Sequence, residues 1–367
     1  MKTDKSFNLM TFNVEVCLNL YEINEIEETY SVIQEKMENF KKLFKEIDIA
    51  CIQEDATSNV TNTNTVSTLL DELSVEPYNL KKKVICPSEK LDWPKLVLLY
   101  GNESALANAI YSKFDTTSVI TNKIDKIGLP RCVSVADLLI DNTPIKIASV
   151  HLLGGRFDDQ EALKNETYID EKKQQLLAVI SKNPDIICGD FNTRFKSEKE
   201  QPYLSGLVRK QFSNIDNAVK SRWSKWINID EYDALLKQHG YESIYSDFFS
   251  NKDTSAYGGI VDYIYYKPSK LRLNSSKIYD DKGVMEKTGT KYKPVLSDHF
   301  PVVANFTVIK ENSIVRPTML NYKPSAIYYT KKTNGTLIQR STRTNNYANQ
   351  TKKNISQEPR ARKKKIL

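Results

Sequence analysis

The side chains able to do chemistry in this chain gather at the margins of its apolar runs. Asn13 and Glu15 follow FNLMTF, Glu54 follows IDIACIQ, and His151 lies in IKIASVHL. Asp190 and Asn192 lie in PDIICGDFNT, Asp262 in IVDYIYY, and Asp298 with His299 in SDHFPVVANF. Carboxylates and an amide are hard oxygen donors that suit Mg²⁺, an ion that keeps several waters and binds phosphate directly. A carboxylate beside such an ion can orient and deprotonate a water, and a histidine paired with an acid can stabilise charge on phosphoryl oxygens. The set therefore points to metal-assisted phosphoester hydrolysis. No cysteine belongs to it, and three histidines in the whole chain are too few for a typical zinc hydrolase. His239, the third, ends a helical stretch and reads as a cap or surface residue.

The pair Asp190 and Asn192 is two residues apart. On an extended chain both groups share one face, with Phe191 on the other. Asp185–Cys188 is a short apolar run that fits a buried strand, which Gly189 interrupts. Asp262 is flanked by apolar residues, so it is a candidate buried acid that needs a partner, and His299 is the natural one.

The elements that must hold these groups read as alternating strands and helices. Phe7–Val14 is a strand. Ile33, Met37, Phe40, Phe44 and Ile47 recur at helical steps, and Ile47–Gln53 is the next buried strand, ended by Glu54. Strand, helix, strand within about 50 residues indicates a layered α/β architecture. Asp55–Thr68 is polar and without period, hence a loop. Trp93–Tyr100, Ala109–Tyr111, Cys132–Ile140 and Ile145–Leu152 are further strands; Gly154 and Gly155 make a turn. Glu171–Ile180 is a helix, and Glu231–His239 is another, capped by Asp230 and stopped by Gly240. Ile260–Tyr266 is a strand with Asp262 inside, and Lys270–Lys293 is a hairpin or loop. In layered α/β proteins ligand sites collect at strand ends.

The bulk numbers fit a soluble globular chain: 367 residues, 40% hydrophobic and 27% charged. There is no run of about 18 apolar residues and no secretory signal, which implies an intracellular protein, cytoplasmic or nuclear and not secreted. The five cysteines show no zinc-ligand spacing and read as buried thiols in a reducing compartment. Asn-x-Ser/Thr triplets at Asn59, Asn102 and Asn334 read as chance. The net charge of +7 is uneven: from Glu311 onward there are thirteen Lys/Arg and two Asp/Glu, leaving 40 basic and 44 acidic groups before it. We therefore divide the chain into a catalytic domain, 1–310, and a basic disordered tail, 311–367.

The ordered strings FNLMTFNVE, IQE, SVHLL, GDFNT, VDYI and SDHFPV resemble the motifs of the endonuclease/exonuclease/phosphatase superfamily, the DNase I-like fold. They occur in the family's order over residues 7–306. The resemblance implies an α/β four-layer sandwich, two packed mixed β-sheets flanked by helices. It implies a metal held by Glu54, with Asn13 beside it and Glu15 and Asp298 near it; the ion would be Mg²⁺, with Mn²⁺ as the alternative. It implies that Asp190 positions or deprotonates the attacking water, that Asn192 holds the water or a phosphate oxygen, that His151 contacts the phosphate, and that Asp262 orients a charged His299. The segments 55–68 and 195–229 depart from the pattern.

Taken singly, each group has a plainer reading: a strand-end turn for Asp190 and Asn192, a cap for Asp298 and His299, a solvated edge for Glu54, a core residue for His151. Their co-occurrence in order favours catalysis. Trp223 and Trp226 read as packing residues rather than base-stacking ones. Lys81–Lys83 and Lys172/Lys173 read as solvated faces. The sequence-level expectation is a monomeric Mg²⁺-dependent phosphoester hydrolase that cleaves nucleic acid. The alternatives are a lipid or inositol-phosphate phosphoesterase and a non-catalytic nucleic-acid-binding member. The tail is read as a nucleic-acid-binding arm, a site for an import receptor, or a merely soluble appendage.

Overall fold

The computed structural model describes residues 5–14, 38–58, 72–90, 104–124, 131–153, 167–193, 229–245, 253–256, 259–280, 282–288 and 291–310. The chain divides into two units, Met1–Ser313 and Ile314–Leu367, and all described residues belong to the first. The readings of Glu15, 59–68, Trp93–Tyr100, Gly154, Gly155, Trp223, Trp226 and the tail lie outside them.

The strands are β1 Ser6–Asn13, β2 Ile49–Ser58, β3 Lys81–Lys90, β4 Ser104–Ser112, β5 Asp115–Lys123, β6 Cys132–Ile140 and β7 Thr143–His151. They continue as β8 Ile186–Asp190, β9 Glu242–Ser243, β10 Asp262–Tyr266, β11 Leu271–Ile278, β12 Met285–Thr288, β13 Lys291–Pro294 and β14 Val302–Val308. The helices are α1, Thr167–Ile180, and α2, Asp230–Gln238, and residues 38–43 are also helical. No helix among the described residues is long and apolar enough to cross a membrane.

Two six-stranded mixed sheets form the body, in the orders β11-β14-β1-β2-β4-β3 and β5-β6-β7-β8-β10-β9. Each holds one parallel pair, β1/β2 and β7/β8, and is otherwise antiparallel. Parallel strands need a crossover, and the sequence supplies helical segments for both: 38–43 and α1. The inner faces are buried Val, Ile, Leu and Phe in one continuous core. Phe12 stacks on Phe40 at 5.8 Å, which docks the first crossover helix. Leu176, Val179 and Ile180 bury the inner stripe of the second. Each such side chain contributes about 1.5–3 kcal/mol. A polar seam also bridges the sheets: Thr11 Oγ1 donates to Gln53 Oε1 (3.2 Å), and Gln53 Nε2 donates to Ser149 Oγ (3.1 Å).

Some expectations need correction. β2 does not end at Glu54; it runs on to Ser58, because residues 55–58 pair with Ala107–Ser104 of β4 after a register shift. Gly189 does not break β8 but is required within it. Its φ is +147°, and a Cβ there would lie 1.8 Å from the carbonyl oxygen of Val150 on β7. β10 begins at Asp262 rather than enclosing it. Asp230 is the first helical residue of α2; Ile229 occupies the cap position without a side-chain bond. Lys270–Lys293 is no isolated hairpin, since β11 pairs with β14 at the edge of the first sheet. Lys172, read as solvated, is fully buried.

Candidate active site

The parallel pairs dictate where the functional groups meet. β1 and β2 run the same way, so Asn13 lies opposite Gln53, and Glu54 follows. β7 and β8 do likewise, with His151 opposite Asp190. β10 runs against β8, so its first residue, Asp262, faces Asp190. β14 runs against β1, so the residues that lead into it, Asp298 and His299, return to the same end of the sandwich. Three strand ends, the register shift within β2 and two strand beginnings thus share one rim.

At that rim Asn13 Nδ2 donates to both Glu54 Oε1 and Asp190 Oδ2, each at 3.2 Å. His151 Nε2 lies 3.5 Å from Asp190 Oδ2 and 3.8 Å from Glu54 Oε1. His299 Nδ1 meets Asp262 Oδ2 at 2.9 Å, and its Nε2 lies 3.8 Å from both Asp190 Oδ2 and Asp298 Oδ1. Ligand atoms of Asp190, Asp262 and His299 all fall within 4.8 Å of one another. The structure therefore brings together Asn13, Glu54, His151, Asp190, Asp262, Asp298 and His299.

Asn192 is placed differently from the extended-chain reading. The chain leaves β8 in a tight turn in which Asp190 Oδ1 accepts the Asn192 backbone N–H at 2.7 Å. Asn192 takes a left-handed φ of 51°, and its Nδ2 donates to the Leu152 carbonyl at 3.1 Å. It borders the cluster through its backbone. Phe191 turns away into the core against Tyr263 and Tyr265, as the spacing implies.

Glu54 also has a left-handed φ, 55°, where the register of β2 against β4 shifts. A non-glycine residue there costs about 1–3 kcal/mol, and the surroundings must hold it. Asn13 grips its carboxylate, and the next residue, buried Asp55, accepts from Tyr111 OH at 2.7 Å. The His299 turn is fixed by Ser297, whose Oγ accepts the His299 N–H at 3.0 Å and donates to the Asn13 carbonyl at 2.7 Å. Thr254 Oγ1 accepts the backbone N–H groups of Val261 and Asp262.

Burial governs the charges. It pushes the Glu54 carboxyl up to about 7, with Asp298 adding to the rise and Asn13, His299 and Arg131 opposing it. Burial likewise raises Asp190 and Asp298, against the pull of His299. Burial would lower His299, but Asp262, Asp298 and Asp190 overcome it and hold the imidazole well above its ordinary value, as an imidazolium. His151 is held well below it by burial and then by the positive charges of Arg131, His299 and Lys172. One imidazole is thus charged and the other neutral.

Two buried basic residues escaped the sequence reading. Arg131 Nη1 lies 3.4 Å from His151 Nδ1. Lys172 on α1 donates to the Asn192 carbonyl at 2.9 Å, with its ammonium 5.7 Å from the Tyr232 ring centre. The helical spacing of Lys172 with Gln175, Leu176 and Val179, all buried, carried the signal for Lys172. Arg131, alone before an apolar run, offered none.

The donor set fits a hard divalent cation. Glu54, Asp190 and Asp298 offer carboxylate oxygens whose pKa values burial has raised, and a cation relieves that penalty. Asp262 Oδ1 is buried and accepts no hydrogen bond among the described residues. The four cysteines among those residues, Cys51, Cys86, Cys132 and Cys188, are buried free thiols outside the cluster.

Comparison with known proteins agrees with this architecture. Residues 10–299 match the Endonuclease/Exonuclease/phosphatase family. The CCR4-Not complex 3'-5'-exoribonuclease subunit Ccr4 of Kluyveromyces lactis is 29% identical over 136 residues, which are 36% of this chain and 17% of that protein. This chain thus spans a small part of that relative. An endonuclease/exonuclease/phosphatase structure from Beutenbergia cavernae superposes with a TM-score of 0.51 at 12% identity, covering 83% of this chain and 72% of that one. A family protein from Bacteroides thetaiotaomicron gives 0.50 at 14% identity, covering 84% and 97%. At such identities the likeness establishes the fold.

Proposed function

The chain belongs to the endonuclease/exonuclease/phosphatase family of hydrolases, and from that premise we propose that it is a Mg²⁺-dependent phosphodiesterase acting on nucleic acid. The observation that carries the proposal is the convergence of Glu54, Asp190 and the Asp262–His299 pair, drawn from both sheets, on one buried rim. Glu54 and Asp298 would hold the ion, with Asn13 beside them fixing the Glu54 carboxylate through its amide N–H. When bound, the ion supplies Lewis-acid stabilisation of the phosphoryl charge.

The chain's own groups account for the remaining chemistry. Asp190 is a buried carboxylate with a raised pKa, suited to taking a proton from water. The His299 imidazolium, oriented by Asp262, offers Nε2–H to a phosphoryl or leaving oxygen. His151, neutral, adds a second donor near the same Asp190 oxygen that His299 approaches. Asn192 is fixed at the exit of β8, beside the water that Asp190 would hold.

Nucleic acid is favoured by the basic tail and by the exoribonuclease relative, which makes RNA the first substrate to try. The test is a panel of single- and double-stranded DNA, RNA, a tyrosyl-linked nucleotide, sphingomyelin and an inositol phosphate, each assayed with Mg²⁺, with Mn²⁺ and with EDTA. The expected result is cleavage of a nucleic acid that EDTA abolishes. Turnover confined to the lipid or the inositol phosphate would move the substrate assignment. Undiminished turnover in EDTA would remove the metal.

A further inference from the structure

Arg131 immediately precedes β6, whose start pairs with the end of β7: Val133 lies opposite Val150, one residue before His151. The guanidinium is only 6% exposed, and its Nη1 lies 3.4 Å from His151 Nδ1. The chemistry of the two partners leaves one arrangement. A guanidinium has five N–H donors and no acceptor, and it keeps its proton in proteins. Contact between Nη1 and Nδ1 is therefore a hydrogen bond only if Nδ1 presents its lone pair. A doubly protonated ring would set N–H against N–H. A neutral imidazole with an accepting Nδ1 carries its proton on Nε2.

The other side of the ring imposes the same choice. Among the described residues Nε2 faces the acceptors Asp190 Oδ2, at 3.5 Å, and Glu54 Oε1, at 3.8 Å.

We propose that Arg131 is a positioning residue that fixes His151 as the neutral Nε2–H tautomer, making it a hydrogen-bond donor to the phosphoryl group and not a proton-accepting base. The tautomer rests on geometry alone; the phosphoryl partner rests on the function proposed above. Its consequence is a division of labour. His299 contributes a charged donor, His151 a neutral one, and Asp190 is left as the group that takes the water's proton.

Nitrogen-15 spectra of the histidine side chains distinguish protonated from bare ring nitrogens, and three histidines are readily assigned. Near neutral pH, with and without Mg²⁺, His151 is expected to show a bare Nδ1 and a protonated Nε2. Arg131→Met removes the donor: the His151 proton should redistribute between the two nitrogens, and kcat should fall about 10–100-fold, as for other groups that orient an active-site imidazole, with KM changed less than about twofold. Arg131→Lys keeps a donor-only cation and should restore the tautomer and most of the rate. His299, held by Asp262, should keep its own spectrum throughout, which reports an intact site. A wild-type His151 with its proton on Nδ1 overturns the proposal, even if Arg131→Met does not fold. So does an unchanged tautomer in Arg131→Met. The expected tautomer in a protein that cleaves no phosphoester would instead overturn the functional reading and leave the role of Arg131 standing.

Discussion

Asp190 Oδ2 is contested by three groups: Asn13 Nδ2 at 3.2 Å, His151 Nε2 at 3.5 Å and His299 Nε2 at 3.8 Å. Its partner oxygen holds the Asn192 turn. Asp190→Asn keeps the shape and the turn but removes the base. We expect kcat to fall by about 10³-fold, the middle of the range for a lost general base, with the melting temperature little changed, since relief of a charge disfavoured by burial is offset by an amide NH2 turned toward the three donors. Steady-state kinetics with thermal unfolding checks both, and an unchanged rate would assign the base elsewhere. Glu54 lends itself to a measurement free of turnover. A cation bound at 100 times its dissociation constant stabilises a protein by about 2.7 kcal/mol. Mg²⁺ should therefore raise the melting temperature of the wild type, and Glu54→Gln, which keeps the size of the side chain while losing its charge, should lose that rise. A rise retained in Glu54→Gln would place the ion on other ligands, the Asp190, Asp262 and His299 cluster first among them.

The strands carry these residues, and they were unequally visible in the sequence. Cys132–Ile140 is apolar but for Ser134 and Asp137, and its limits match β6, because burial on one strand writes itself locally. The extension of β2 through Asp55–Ser58 is polar and is held by pairing with β4, a partner 50 residues away that no local pattern announces. Gly189 looked like an interruption for the same reason: its necessity comes from the Val150 carbonyl on a neighbouring strand. The site itself was more legible than its supports. Chemistry demands particular residue types at strand ends, whereas the burial of Arg131 and Lys172 depends on tertiary packing. The Asn192 turn was missed because spacing alone assumes an extended chain. Tyr241 beside β9, with Tyr265 and Tyr266 on β10, allows a prediction of its own. Burial raises the Tyr241 hydroxyl, with Asp185 adding to the rise. It raises Tyr265 well above its ordinary value, aided by Asp233, and Tyr266 to about 12, aided by Glu242. The folded state thus keeps protons that the unfolded chain releases near pH 10. Their contribution is complete below that value and is lost as pH rises through the raised values. Melting temperature should fall steeply above about pH 10, and Tyr265→Phe should make the fall shallower. Equal slopes in the two proteins would show that Tyr265 ionises as freely in the folded state as in the unfolded one.

At the scale of the whole molecule, the fold sets a rim of buried acids on a body whose first 310 residues carry slightly more acidic than basic groups. Such a surface has no general attraction for a polyanion. After residue 310 thirteen Lys/Arg stand against two Asp/Glu, and the nucleic-acid role proposed above would rest on that charge. Attraction of that kind is electrostatic and is read by salt, because each neutralised phosphate releases counterions. If about six of the tail's cations engage a single strand, deleting residues 312–367 should reduce the slope of log K against log salt by about 4. Affinity at low salt should drop accordingly. The rate of cleavage of a short model phosphodiester should not change, since the groups at the rim all precede the deletion. Fluorescence anisotropy of labelled RNA across a salt series, with a parallel assay on the small ester, separates the two effects. An unaltered slope would make the tail irrelevant to the substrate. A lost rate on the small ester would tie the tail to the rim itself.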